Sequence, residues 1–210
     1  MARDYGEAMG WYRRAAYQQL DEAQNAIGDM YFNVRGVAQD DGEAMGWYRK
    51  AADQGYATAQ DNVGWLYENG RGVAQDYGEA MRWFRKAADQ GNAPAQNNMG
   101  WLYESGRSVA QDYGEAMHWF RKAADQGDAF AQNKVGVLYY NGWSVKQDYS
   151  EAMRWFRKAA DQGNGAAQNN VGWLYANGEG VPRDLGQARA WMQKAAANDN
   201  ELAKKWLAAN

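Results

Sequence analysis

Residues able to do covalent or acid–base chemistry are sparse in this chain. It holds no cysteine, which excludes a thiol nucleophile, a thiolate metal site and a disulfide framework. It holds one histidine, His118. A single imidazole cannot supply the pair that an H-E-x-x-H or two-histidine metal site requires. Counterparts of His118 at 36-residue steps are Gly10, Gly46, Arg82, Arg154 and Ala190, the pattern of a variable surface position. Neither G-x-x-x-x-G-K-[ST] nor a strand-linked G-x-G-x-x-G occurs, so nothing supports nucleotide binding. The loop Gly70-Arg71-Gly72 is explained by a backbone turn. The paired acids Asp76 and Glu79 have the spacing of a helix cap. General acid–base catalysis needs carboxylates in a cleft with shifted pKa values, and no position demands catalysis for its explanation. The expectation is a non-enzyme with no metal and no cofactor.

The elements behind these residues are repeats. Asp4, Asp40, Asp76, Asp112, Asp148 and Asp184 recur every 36 residues, as do Trp11, Trp47, Trp83, Trp119, Trp155 and Trp191. Segments 55–90 and 91–126 differ at seven positions. Such phase over the whole length reads as one quasi-linear array in which each unit packs on its neighbours.

Each unit reads as two helices. Helix A runs roughly from Thr58 to Asn69 and stops at Gly70, a residue free to take the left-handed conformation that closes a helix. Helix B starts at Asp76, with Asp76/Glu79 as a capping box repeated at Asp4/Glu7, Asp40/Glu43, Asp112/Glu115, Asp148/Glu151 and Asp184/Gln187. Tyr77, Ala80, Met81, Phe84 and Ala88 form its apolar face, widened by Trp83 and Ala87, while Arg82, Arg85, Lys86 and Asp89 face water. Gly28, Gly64, Gly100, Gly136 and Gly172 fall inside A helices, where glycine costs about 1 kcal/mol against alanine. That recurring cost predicts close approach of helix B, under a large aromatic such as Trp83.

The expected layout is a single array over 1–210. It has a lone B helix at about 4–18, helix pairs at about 22–54, 58–90, 94–126, 130–162 and 166–197, and a capping helix at about 200–209. The first A helix diverges most: Asp29 stands where Trp65 stands in the next unit, and Val34 where glycine is usual. An unpartnered first helix would leave Ala8, Trp11, Tyr12 and Ala15 partly uncovered, which suggests either a homodimer contact there or a preceding unit missing from this sequence.

Net charge is -3, with 23 basic and 26 acidic residues. No single-sign field points to nucleic acid or an anionic membrane. No run approaches the ~20 apolar residues of a membrane span, and the N-terminus lacks an apolar core of signal-peptide length. As written the chain is expected to be soluble and cytoplasmic, or periplasmic or secreted if a leader was removed.

The unit Ala59-Gln60-x-Asn62-Val63-Gly64-x-Leu66-Tyr67-x-Asn69-Gly70-x-Gly72-Val73-x-x-Asp76-Tyr77-x-Glu79-Ala80-x-x-Trp83-Phe84-x-Lys86-Ala87-Ala88-x-Gln90-Gly91 resembles the Sel-1-like repeat, a relative of the tetratricopeptide repeat. The resemblance covers nearly the whole chain. It implies an all-α fold, a right-handed superhelix (solenoid) of antiparallel helix pairs, with A helices on the concave side and B helices on the convex side. It implies adaptor proteins that hold other proteins together. The cysteine-rich bacterial branch of that family staples each pair with a disulfide, and this chain lacks those cysteines.

Removing from helix A the positions the fold needs leaves Asp61, Trp65 and Glu68, at i, i+4 and i+7 on one face. Their counterparts are Asn97, Trp101 and Glu104; Asn133, Val137 and Tyr140; Asn169, Trp173 and Ala176; and, first, Asn25, Asp29 and Phe32. Stacked A helices would set an asparagine row beside an aromatic row across the concave face. Tryptophan is a frequent binding hot spot, and asparagine can bond a peptide backbone. The expectation is a protein- or peptide-binding scaffold. Its alternatives are a glycan or small-ligand binder that stacks on Trp65, Trp101 and Trp173, and a purely structural or engineered array in which those indoles only pack.

Overall fold

The computed structural model describes residues 5–210. Among them the chain forms twelve helices and no strand. The B-type helices are α1 (Tyr5–Tyr17), α3 (Asp41–Asp53), α5 (Tyr77–Asp89), α7 (Tyr113–Asp125), α9 (Tyr149–Asp161) and α11 (Leu185–Ala197). The A-type helices are α2 (Asp21–Phe32), α4 (Ala57–Asn69), α6 (Ala93–Ser105), α8 (Ala129–Asn141), α10 (Gly165–Asn177) and α12 (Glu201–Ala209). The cap expected at Asp4 lies outside the described residues. No described helix is long and apolar enough to cross a membrane. Contacts divide the chain into two compact units, Met1–Leu102 with Arg107–Val109 and Tyr103–Gly106 with Ala110–Asn210.

The expected caps form, but only by half. Asp76 Oδ1 accepts from the N–H groups of Gly78 and Glu79 at 2.8 and 3.0 Å, and Asp40, Asp112, Asp148 and Asp184 cap their helices in the same way. The glutamate does not reach back. The Asp76 N–H donates instead to the Tyr67 carbonyl of the preceding A helix, at 2.9 Å, and Asp148 and Asp184 repeat this with Tyr139 and Tyr175. The cap therefore ties B to A, and the glutamate is free for other work. Glu151 accepts from the Trp155 indole and from Arg154, at 3.0 and 3.1 Å.

The helical glycines do mark close approach, but the side chain above them is the neighbour of the expected tryptophan. A Cβ on Gly64 would lie 2.6 Å from the Phe84 ring, and the same holds for Gly136 beneath Phe156 and Gly28 beneath Tyr48, both at 2.5 Å. Trp83 sits one residue, and so about 100°, around the helix. It faces the previous B helix, with the Arg49 guanidinium 4.7 Å and Lys86 Nζ 3.8 Å from its ring. Arg49 also reaches the Tyr67 hydroxyl, and Arg121 in the second unit repeats both contacts with Tyr139 and Trp155. Ala80, Phe84, Ala87 and Ala88 close the core against Ala59, Val63 and Leu66, all buried.

A part-buried polar ladder borders this apolar core. Gln90 Nε2 donates to Gln60 Oε1 at 2.8 Å, and Gln60 Nε2 donates to the Ala52 carbonyl at 3.1 Å. Gln162, Gln132 and Ala124 repeat the arrangement in the second unit. Gln60 and Gln132 are tolerated inside because each has its partners, Gln90 and Gln162 reaching them from exposed helix ends. In α1, Trp11 and Tyr12 are exposed.

Candidate functional site

The ten expected site residues all lie on A helices, and the structure gathers them unequally. In the first unit, Asp61 and Trp65 line a cavity of about 280 Å³ together with Asp29, Phe32, Tyr48 and Asn62. Asp61 accepts from Asn98 Nδ2 at 2.9 Å, and burial pushes its carboxyl up to about 6, a rise the Asn98 bond only partly offsets. Trp65 meets Phe32 edge-on, ring centroids 5.4 Å apart, and Arg71 lies 5.6 Å from its centre. Glu68 is half-buried; burial raises its carboxyl, with Arg107 opposing the rise and Asp61 adding to it. Trp101 is covered by Arg107 at 4.6 Å. Asn97 Oδ1 is buried and has no hydrogen-bond partner among the described residues.

In the second unit, Tyr140, Asn169 and Trp173 come together around a larger cavity of about 450 Å³, bounded also by Val137, Phe156, Met192, Leu202 and Trp206. Trp173 is 45% exposed. The Tyr140 hydroxyl sits in hydrogen-bond reach of Trp173 and Glu179; burial raises its pKa first, and Glu179 adds to the rise while Trp173 opposes it. The Asn169 carboxamide has no side-chain partner among the described residues, so its donors and acceptor stay available. Glu104 stands apart in an ion pair with Lys134 at 2.6 Å.

The asparagine row does join neighbouring A helices, in a way that single-helix spacing could not show. Asn62 donates to Asn25, Asn98 to Asp61 and Asn170 to Asn133, at 2.9, 2.9 and 3.0 Å. Asn133 is consequently only 8% exposed. Sequence reasoning also missed Tyr48, whose hydroxyl donates to Asp29 at 2.8 Å, and Trp206 and Leu202 of α12. The signal for Tyr48 was its departure from phenylalanine at positions 84, 120 and 156. Trp143 stacks on Tyr113 with ring centroids 4.8 Å apart. His118 is exposed beside Trp119.

Comparison with known structures agrees with this architecture. The chain is similar to c5321, a protective antigen of uropathogenic Escherichia coli displaying an SLR fold, with 38% identity and a TM-score of 0.91 over 98% of this chain. It spans 44% of that protein's length. It is also similar to a Sel1 repeat protein from Oxalobacter formigenes, at 36% identity and a TM-score of 0.87, covering 99% of this chain and 87% of the other. An immunity protein of Pseudomonas aeruginosa, Pa5087, shares the fold at 20% identity and a TM-score of 0.60, over 95% of this chain and 76% of its own. No curated protein matches the chain. The Sel1 repeat model matches residues 1–20, 21–56, 57–92, 93–128, 129–164 and 165–200 in unbroken succession. With twelve helices in the same A/B alternation and solenoid relatives above one-third identity, the chain belongs to the Sel1 repeat family.

Proposed function

We propose that this chain is a non-catalytic scaffold that holds a protein or peptide partner on its A-helix face, with the Tyr140–Asn169–Trp173 cavity as the main anchor point. One observation carries the reading. Trp173 stands 45% exposed at an aromatic-lined cavity, while four of the six helix B tryptophans, Trp83, Trp119, Trp155 and Trp191, are 3–5% exposed. Large aromatic side chains left open beside unpaired amide groups are what peptide hot spots use. Trp65 and Trp101 do not contribute to this anchor, since neither lines its cavity. Family membership supports the scaffold role, since Sel1 repeats are commonly protein-interaction modules.

The test is selection of peptides from a random display library on the wild-type chain, followed by calorimetry against Trp173→Ala and Tyr140→Ala. Both variants should keep wild-type helicity by circular dichroism. A loss of about 2 kcal/mol in affinity, some thirtyfold, is expected for Trp173→Ala. Peptides that bind the folded variant as tightly as wild type would sink the assignment. Oligosaccharides that quench Trp173 while no peptide is selected would favour the glycan alternative.

A further inference from the structure

The cavity in the first unit differs in chemistry from the one just assigned. The repeat is so regular that its departures can be read. Residue 61 is aspartate where positions 25, 97, 133 and 169 are asparagine. Residue 29 is aspartate where positions 65, 101 and 173 are tryptophan and 137 is valine. Both departures deliver a carboxylate into one cavity of about 280 Å³ walled by Phe32, Tyr48 and Trp65.

Packing does not explain the charge at Asp61. The ladder bond it accepts from Asn98 is accepted equally well by neutral amide oxygens at Asn25 and Asn133. Asparagine would keep the bond and avoid the desolvation cost of a buried anion. Asp29 is hydrogen-bonded by Tyr48 and by Asn25 Nδ2, at 2.8 and 3.3 Å, both neutral donors, and Arg35 acts on it only through space, without a direct ion pair. Among the described residues neither carboxylate has an ion-pair partner. The neighbouring Arg71 is committed elsewhere, with Nε and Nη2 each 2.8 Å from the Asp41 carboxylate. Arg71 also shows what suits these walls, since its guanidinium lies 4.3 Å from the centre of the Phe32 ring. A planar cation satisfies carboxylate and aromatic surfaces together, by charge-assisted hydrogen bonds and by attraction to the ring face.

We propose that the cavity bounded by Asp29, Phe32, Tyr48, Asp61 and Trp65 binds the guanidinium of an arginine side chain presented by a protein partner. The partner rests on the scaffold reading; the guanidinium preference rests on this cavity alone. The probe is N-acetyl-arginine amide, followed through the Trp65 indole N–H signal in two-dimensional NMR. The neutral isostere N-acetyl-citrulline amide and N-acetyl-lysine amide are run beside it. Arginine amide should bind at least tenfold more tightly than citrulline amide and several-fold more tightly than lysine amide. Asp61→Asn should weaken arginine amide at least fivefold and leave citrulline amide unchanged. Asp29→Asn, checked for helicity, should weaken arginine amide as well. Trp173→Ala should bind the probe as wild type does, so failure of the Trp173 anchor is separable from failure here. Absence of an arginine-induced shift, equal binding of citrulline or lysine amide, or an Asp61→Asn variant that binds normally would each overturn the proposal.

Discussion

Asp61 is where a single residue's chemistry can be weighed against the fold. Its carboxyl is pushed from the usual 3.8 to about 6 by burial, with Asp29, Tyr48 and Glu68 around it and no cation paired to it among the described residues. Ionising it is harder in the folded chain than in the unfolded one. Below about pH 3.8 the group is neutral in both states and costs nothing. Stability is lost as pH rises towards 6, and above that the full penalty applies. Asp61→Asn keeps the Asn98 ladder bond and removes the charge. It should raise unfolding free energy by about 2 kcal/mol at pH 7 and by only a few tenths at pH 3.5, read from urea denaturation at both values. An equal gain at both pH values would show that the charge is not the cause. The i, i+4, i+7 pattern of helix A found Asp61 and Trp65, because those positions remain once the core face is removed. It could not find Tyr48, which reaches the cavity from α3, because spacing within one helix says nothing of what another helix brings.

At the scale of the helix, glycine separates local propensity from packing. Gly64 and Gly46 both lie inside helices, α4 and α3. A Cβ at Gly46 meets nothing within 4 Å, whereas one at Gly64 meets the buried Phe84 ring at 2.6 Å. Gly46→Ala should therefore stabilise by about 0.5–1 kcal/mol through helix propensity. Gly64→Ala should destabilise by about 1–3 kcal/mol through overpacking, despite the same propensity gain. Opposite shifts in thermal midpoint are the expected outcome, and two gains would mean that the Phe84 ring moves aside freely. The glycine recurrence announced a close contact in the sequence. Which aromatic makes it was misjudged, because Trp83 and Phe84 are adjacent and only the packed rotation of α5 decides which of them points at α4 and which at α3.

Over the whole molecule, the eleven tryptophans divide between holding the fold and facing outward. Trp155 is 4% exposed, donates to Glu151 and has Arg121 and Lys158 over its ring. Trp155→Ala should cost about 3–5 kcal/mol, visible as a fall in denaturation midpoint. Trp173→Ala, at a 45% exposed site, should cost under about 1 kcal/mol, within the range of ordinary surface substitutions. If both variants melt alike, Trp173 is a packing residue and the proposed anchor fails. In a repeat array each unit is stabilised by its neighbours, so one tryptophan in phase with the core recurs as structure. The A-helix tryptophans Trp65, Trp101 and Trp173 recur at the same step, and of these Trp173 is the exposed one.

What the amino-acid order determined by itself was everything periodic: the 36-residue unit, the A/B alternation, the aspartate caps and the glycine stops. Each of these follows from contacts within one turn or between adjacent helices, and such contacts leave an imprint at fixed spacing. Tertiary structure alone decided the rest. It joined Asn25, Asp61 and Asn133 to the next A helix as rungs, handed the cap N–H to the preceding helix, and gathered Asp29, Tyr48 and Asp61 into one cavity. Those outcomes depend on how far each helix is rotated about its axis and how closely it approaches the next, quantities that side-chain volume sets in three dimensions and that no single spacing encodes.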